Sequence, residues 1–206
     1  METTFINADR LPIASLVRRR REWWRHLRRS DTLPQFQHPT AELRTVLGPV
    51  YLGEGLEFYF VDEGATCGAE FFLNLASPRD RREAWSEILA ARPRLEVAFG
   101  GALEVSEFMM GAHLSGGSHA RKTCWPAVQA QQIEVMSRLL RAVGQELTRF
   151  TDPAIDPAID GTATAGWASG QDRWRTVAEL DGVSSAYLEA RLTAVDRELE
   201  RRRHLN

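Results

Sequence analysis

The stretch GLEFYFVDEGATCGAEFFLNL, residues 55–75, decides the fold class of this chain. On both sides of the central Gly64, side chains alternate with the period of two that is typical of β-strands. The pattern predicts two neighbouring antiparallel strands, and the residues from Val46 onward leave room for a third. The residues expected to face the core are Phe58, Phe60, Phe71, Leu73 and Leu75.

The opposite faces of the same strands carry a mixture of polar and aromatic residues, namely Glu57, Tyr59, Glu70, Phe72 and Asn74. On an open sheet face, Tyr59 and Phe72 could stack on nucleic-acid bases. Under a covering helix they would be core residues. We favour the core interpretation.

An arginine-rich helix precedes the strands. It starts near Pro12, a residue suited to a first helical turn, and is expected to end before Pro34. Its apolar residues recur at helical spacing and are Ile13, Leu16, Val17, Trp23, Trp24 and Leu27. A second stripe on roughly the opposite side, called the arginine stripe below, consists of Arg18, Arg21, Arg25 and Arg28.

Two further helices follow the strands. The first starts at Ser77-Pro78-Arg79-Asp80, which combines a hydroxyl cap with a proline in the first turn. It reaches Gly100, and Pro93 predicts a kink or a break into two short helices. Residues 102–114 predict a strand or a hairpin, and apolar residues at helical spacing then predict a long helix over 128–147.

These elements predict an α+β fold, in which an antiparallel sheet of about five strands packs with three helices and a helical C-terminal extension follows. We place the core domain at residues 1–150 and a linker at 151–171, where a DPAI repeat and small residues replace the apolar pattern. A helical hairpin or extension is expected at 172–206.

The last helix of this extension has apolar residues at the spacing of a short coiled coil, which predicts a homodimer seam. The seam residues are Leu188, Leu192, Val195 and Leu199. Residues 174–192 also have the spacing of a helix-turn-helix. Asp181 and Arg191 fall where that motif buries apolar residues, so we prefer a hairpin for self-association.

Composition indicates a folded protein, with 43% hydrophobic and 26% charged residues. No run approaches the ~18 apolar residues of a membrane-spanning helix, and no secretory signal is recognisable, so we expect a cytoplasmic location without membrane contact. The two cysteines, Cys67 and Cys124, form no C-x-x-C pair and are expected to be buried thiols.

Charge is unevenly distributed along the chain. Residues 1–30 contain eight arginines and three acidic residues, a net charge of +5, whereas the whole chain carries -2. The arginine stripe could therefore follow a phosphate backbone, with tryptophans stacking on unpaired bases. Alternatively, the arginine stripe could be the solvent-exposed side of a helix whose tryptophans pack in the core, or it could bind a protein partner. Binding to a membrane surface is the least favoured alternative.

A second basic segment is the glycine-rich loop SGGSHARKTCWP, residues 115–126, which includes Arg121 and Lys122, the only lysine of the chain. Because it lies directly before a helix start, its backbone N–H groups could hold a phosphate. The spacing of its glycines and lysine is not that of a phosphate-binding P-loop. We therefore prefer to interpret the segment as a connecting loop without a ligand.

Several local patterns resemble a known family. REWWRHL, GLEFYFVDEGATCGAEFFLNL, RREAWSEILAARPRLEVAFGGALEV and CWPAVQAQQIEVMSRLLRAV follow one another as in the bacterial family called domain of unknown function four-two-six-eight. The resemblance covers about residues 16–148. Members often accompany restriction-type endonuclease domains, so the resemblance implies a role near DNA, rather than RNA, or in genome defence. It implies no catalytic residues, and this chain differs in having no nuclease domain and in adding residues 151–206.

Catalytic chemistry has weak support in the sequence. A metal-dependent nuclease would need Asp62, Glu63 and Glu70 to hold a divalent ion, with Lys122 reaching in from another element. The spacing of His113, His119 and Cys124 is a poor match to zinc sites. No nucleophile elbow occurs. We therefore expect no catalytic residues, no metal site and no cofactor.

The sequence thus favours a non-enzymatic accessory protein of a bacterial DNA-processing or genome-defence system. The predicted nucleic-acid-binding residues are Arg18, Arg21, Arg25, Arg28, Arg121 and Lys122. A nuclease or another defence protein is the expected protein partner. The alternatives are a protein-only oligomerisation module and the metal-dependent nuclease.

Overall fold

The computed structural model describes residues 6, 12–28, 42–43, 46–53 and 55–151, and an antiparallel sheet lies at its centre. Its six strands are β1 (Glu42–Leu43), β2 (Val46–Gly53), β3 (Leu56–Asp62), β4 (Thr66–Leu73), β5 (Glu104–Ser106) and β6 (Met109–Ser115). The helices are α1 (Ile13–Arg28), α2 (Pro78–Phe99) and α3 (Trp125–Glu146), with a short 3-10 turn at Lys122–Cys124.

The strand order β1-β2-β3-β4-β6-β5 is a meander through β4, after which α2 crosses to the hairpin of β5 and β6. The predicted α+β class, with an antiparallel sheet and three helices, is confirmed. The linker beyond Thr151, the helical extension and the coiled-coil seam of Leu188, Leu192, Val195 and Leu199 lie outside the described residues.

Strands β3 and β4 pair in the register that their alternating pattern predicts, with Phe58 opposite Phe71 and Phe60 opposite Ala69. These residues lie on the core face of the sheet, which packs against the helices. The rings of Phe58 and Phe71 lie 5.8 Å apart, and Trp85 of α2 contacts Phe71 edge-on at 6.5 Å. Because aromatic side chains bury large apolar areas, this cluster supplies much of the hydrophobic driving force for folding.

The second face of the sheet is buried as well. Tyr59 and Phe72 are both 0% exposed, and every residue of β3 is buried. The stacking of bases on Tyr59 and Phe72 is therefore excluded, and the core interpretation of these two residues is confirmed. The alternation of the strands separates two buried faces here, rather than one buried face and one solvated face.

Helix α2 begins and ends as its sequence predicts. The Ser77 side chain accepts a hydrogen bond from the Asp80 amide, and Gly100 ends the helix in the left-handed conformation, with φ of 76°. The predicted break at Pro93 is wrong, because α2 runs through this residue without interruption. Proline has no amide hydrogen, so the Leu89 carbonyl has no helical hydrogen-bond donor at position 93. Pro93 and Leu89 both lie on the exposed side of α2, where water can bind this carbonyl instead.

The two cysteines differ in exposure. Cys67 is buried on β4, whereas Cys124 is only partly buried, so the prediction that both are buried is wrong for Cys124. Cys124 lies in the exposed turn before α3. Burial, and secondly the negative charge of Asp62, raises the pKa of the Cys67 thiol. The reactive thiolate of Cys67 is therefore scarce at neutral pH.

We predict that Ellman's reagent at pH 8 modifies Cys124 in the native protein and reaches Cys67 only after unfolding in urea. At this pH the raised pKa keeps Cys67 protonated, and burial shields it from the reagent. Cys124→Ser should then have no fast-reacting thiol. Two equivalents of fast reaction in the native wild-type protein would contradict the buried position of Cys67.

Candidate nucleic-acid interface

Helix α1 places its tryptophans on one side and the arginine stripe on the other. Trp23, Trp24 and Leu27 are at most 4% exposed and belong to the core. Arg18, Arg21 and Arg25 are exposed on the other side, as expected for residues spaced by three and four along a helix. Within the residues that the structure describes, no ion pair involves these three arginines. The tryptophans are therefore closed to base stacking, whereas three members of the arginine stripe face solvent.

The fourth member of the stripe, Arg28, is half-buried at the C-terminal end of α1. Together with Arg25 and His26 it places basic residues in the last turn, where the helix dipole favours positive charge. The structure therefore keeps Arg28 beside the stripe, although its guanidinium is less exposed than those of Arg18, Arg21 and Arg25.

Two other arginines of α1 point toward the protein, which sequence reasoning missed. Arg19 donates from Nε to the Ser118 carbonyl at 2.8 Å and from Nη2 to the Ala120 carbonyl at 2.6 Å. Arg20 donates to the Asp62 carboxylate, with 2.8 Å between Nε and Oδ2. These bonds attach α1 to the loop before α3 and to the end of β3. A helical wheel could have predicted the inward direction of Arg19 and Arg20, because both positions lie on or next to the side that carries the tryptophans.

The Asp62 carboxylate is the junction of three segments. It is 0% exposed and accepts hydrogen bonds from Arg20, from the Gly64 amide at 3.2 Å and from the Ser118 amide at 2.8 Å. A Cβ atom on Gly117 would lie 2.5 Å from Asp62 Oδ1, so only glycine permits this approach. Charge-assisted hydrogen bonds of this kind are among the stronger ones in proteins.

Part of the backbone of the glycine-rich loop is already hydrogen-bonded within the protein. Its amides at Gly116, Ser118, His119 and Ala120 all donate to acceptors within the protein. The Asp62 carboxylate takes the position that an anion would need at Ser118. These four amides are therefore not available to a phosphate, whereas the side chains of Arg121 and Lys122 are exposed.

Folding brings the two basic segments together. Lys122 Nζ donates to the Glu22 carboxylate of α1 across a separation of 100 residues in the sequence. Lys122 and Arg19 both lie over the Trp125 ring, with 5.6 Å and 5.1 Å between their cationic groups and the ring centroid. Arg121 is exposed next to them. The exposed stripe and the loop cations therefore form one basic surface.

Trp125 packs beneath the side chains of the basic surface and connects the loop to α1. Its Nε1 donates to the Ala120 carbonyl at 3.0 Å, and its ring packs edge-on against Trp23 of α1 at 5.5 Å. Gln129 of α3 donates to the Trp23 carbonyl at 2.8 Å. The position of α1 is therefore set by both aromatic packing and directed hydrogen bonds.

The carboxylates of the nuclease hypothesis do not meet. Asp62 lies on the core face of β3, whereas Glu70 pairs with Tyr59 and lies on the second face. Glu63 is exposed and accepts a hydrogen bond from Thr66. A single metal ion cannot be bound by both Asp62 and Glu70 across the sheet, so these two carboxylates do not form one shared metal site.

The candidate zinc ligands are also apart. His113 lies on β6 beside Glu70 and Glu104, and the ring of His119 packs against Gly64. In the described ranges, no group of three His, Cys, Asp or Glu residues could hold a metal ion. The same ranges contain no helix whose length and hydropathy would suit a membrane crossing.

A buried polar network on the second face was missed by sequence reasoning. Glu57 accepts hydrogen bonds from the Tyr59 hydroxyl and from Asn74 Nδ2, both at 2.8 Å. Burial, and secondly the Glu57 charge, raises the pKa of Tyr51, which keeps this hydroxyl protonated beside Glu57. Because Glu57 is only 3% exposed, a substrate cannot reach this network. The network therefore stabilises the sheet.

Comparisons of the chain with family models, with curated proteins and with solved structures gave no match.

We predict that Asp62→Ala lowers the free energy of unfolding by about 3 kcal/mol, because two buried amides and Arg20 lose their acceptor. Urea unfolding followed by tryptophan fluorescence measures this change. Glu134→Ala, at an exposed position of α3, is the control and should change the value by less than about 0.5 kcal/mol. Equal effects of the two substitutions would show that Asp62 is not a structural junction.

Proposed function

We propose that the protein is a non-enzymatic nucleic-acid-binding accessory protein, which holds duplex DNA by its phosphate backbone. The observation that carries the proposal is the exposed arginine stripe, in which Arg18, Arg21 and Arg25 face solvent while Trp23, Trp24 and Leu27 on the other side of α1 are buried. Guanidinium groups suit this role because they remain charged and form forked hydrogen bonds with phosphate oxygens.

The stripe has the dimensions of a backbone contact. From Arg18 to Arg28 the helix rises by about 15 Å, a distance comparable to the ~12 Å width of the major groove. Helix α1 has six arginines and one glutamate, which gives it a net charge of +5 with neutral histidine. Such a surface binds through release of counterions from the nucleic acid, which makes binding strongly dependent on salt.

Burial of the tryptophans supports a duplex over a single strand. Proteins that bind single strands stack unpaired bases on exposed aromatic side chains. Among the described residues, the tryptophans of α1 and of the start of α3, namely Trp23, Trp24 and Trp125, are at most 5% exposed. Phosphate contacts without base contacts position a protein but read no sequence, so we expect little sequence preference.

The cellular setting is part of the proposal. The resemblance to the restriction-associated family supports DNA as the nucleic acid and a nuclease or another defence protein as a partner. A cytoplasmic location fits this role. The accessory function would then be to place the partner on DNA, with the catalytic step performed by that partner.

We predict that R18Q/R21Q/R25Q weakens binding of a fluorescein-labelled duplex of about 20 base pairs by on the order of tenfold or more at low salt. The log–log salt slope should become shallower by about 2.7, since each lost phosphate contact contributes about 0.9. Fluorescence anisotropy at about 50 and 200 mM salt measures both quantities. A labelled single strand of the same length should bind more weakly than the duplex.

The matched control is R79Q/R82Q/R141Q, which removes the same charge from exposed arginines of α2 and α3. This control should keep most of the affinity and the original salt slope. Unchanged affinity of the stripe variant, or equal loss in both triple variants, would rule out the stripe as the binding surface.

A further inference from the structure

Glu22 is the one acidic residue of helix α1, and it lies in the middle of the basic surface. Its carboxylate accepts a hydrogen bond from Lys122. This bond is the main cause of the lowered pKa of Glu22, and the charges of Arg18 and Arg19 lower it further. Glu22 therefore remains ionised at neutral pH and is surrounded by cations from two separate segments.

Helix geometry explains this arrangement. At about 100° per residue, Glu22 lies about 40° from Arg18 in one direction and about 60° from Arg19 in the other. Arg18 belongs to the exposed stripe, whereas Arg19 points toward the loop that carries Lys122. The carboxylate consequently separates the arginine stripe from the loop cations.

We propose that the cations around Glu22 form a phosphate subsite, which the carboxylate of Glu22 occupies in the free protein and from which a DNA phosphodiester displaces it. The inference rests on the proposed function, because it assigns a second row of contacts to the same surface. Carboxylate and phosphate oxygens accept the same charge-assisted hydrogen bonds from ammonium and guanidinium groups. Displacement would free Lys122 for the DNA and join the stripe to the loop.

The Glu22–Lys122 pair is not needed to hold the loop in place. The loop is already attached through the Ser118 amide to Asp62, through two carbonyls to Arg19 and through Ala120 to Trp125. The pair itself is accessible, since the side chain of Lys122 is 56% exposed and that of Glu22 is 31% exposed. Exposed ion pairs contribute little to stability, so exchange for a phosphate costs the fold little.

The test is Glu22→Gln in the full-length protein, with the same labelled duplex. We expect affinity to rise by roughly threefold to tenfold and the log–log salt slope to steepen by about 0.9, because the phosphate no longer has to displace a carboxylate that takes up a cation once it leaves Lys122. In E22Q/K122Q the added steepness should disappear. The control Glu83→Gln breaks an exposed pair with Arg79 on α2, and it should leave the salt slope unchanged.

The outcomes separate the two proposals. Duplex binding that depends on the arginine stripe, combined with an unchanged or shallower salt slope in Glu22→Gln, overturns the subsite and leaves the proposed function standing. An equal gain in Glu22→Gln and Glu83→Gln also overturns the subsite, because net charge alone would explain it. Absence of stripe-dependent binding in both the wild-type protein and Glu22→Gln overturns the proposed function itself.

Discussion

The buried carboxylate of Asp62 is the interaction on which the arrangement of the basic surface depends. It lies at the end of β3, and its two oxygens bind Arg20 of α1 and the amides of Gly64 and Ser118. A buried charge is stable only when it is paired and hydrogen-bonded, so the position of Asp62 constrains all three partners at once. The helix and the loop are therefore held against the same end of the sheet.

This constraint divides the arginines of α1 between two tasks. Arg19 and Arg20 bind acceptors within the protein, and in doing so they fix the rotation of the helix about its own axis. With Trp23 and Trp24 buried on the same side, Arg18, Arg21 and Arg25 are left facing solvent. Structural arginines thus determine where the exposed arginines point, and an exposed basic surface results from a packing requirement.

The sheet contributes stability rather than a binding surface. Both faces of the central strands β3 and β4 are buried, and the second face includes the polar network around Glu57 and Tyr59. A fully satisfied buried network rigidifies its surroundings. Because the described strands present no open aromatic face, the proposed DNA contact would depend on the charges of α1 and of the loop before α3 rather than on base stacking.

Local sequence patterns are sufficient to predict the strands β3 and β4, the core position of Phe58 and Phe71, the cap at Ser77 and the two sides of α1. These features depend on neighbours a few residues away, through the periods of strands and helices and through local capping bonds. Even the separation of Asp62 from Glu70 follows from strand alternation. In contrast, the pairing of Arg20 with Asp62 and of Lys122 with Glu22, across 100 residues, is visible only in the folded protein. Such contacts depend on how whole elements pack, and no local pattern encodes that geometry.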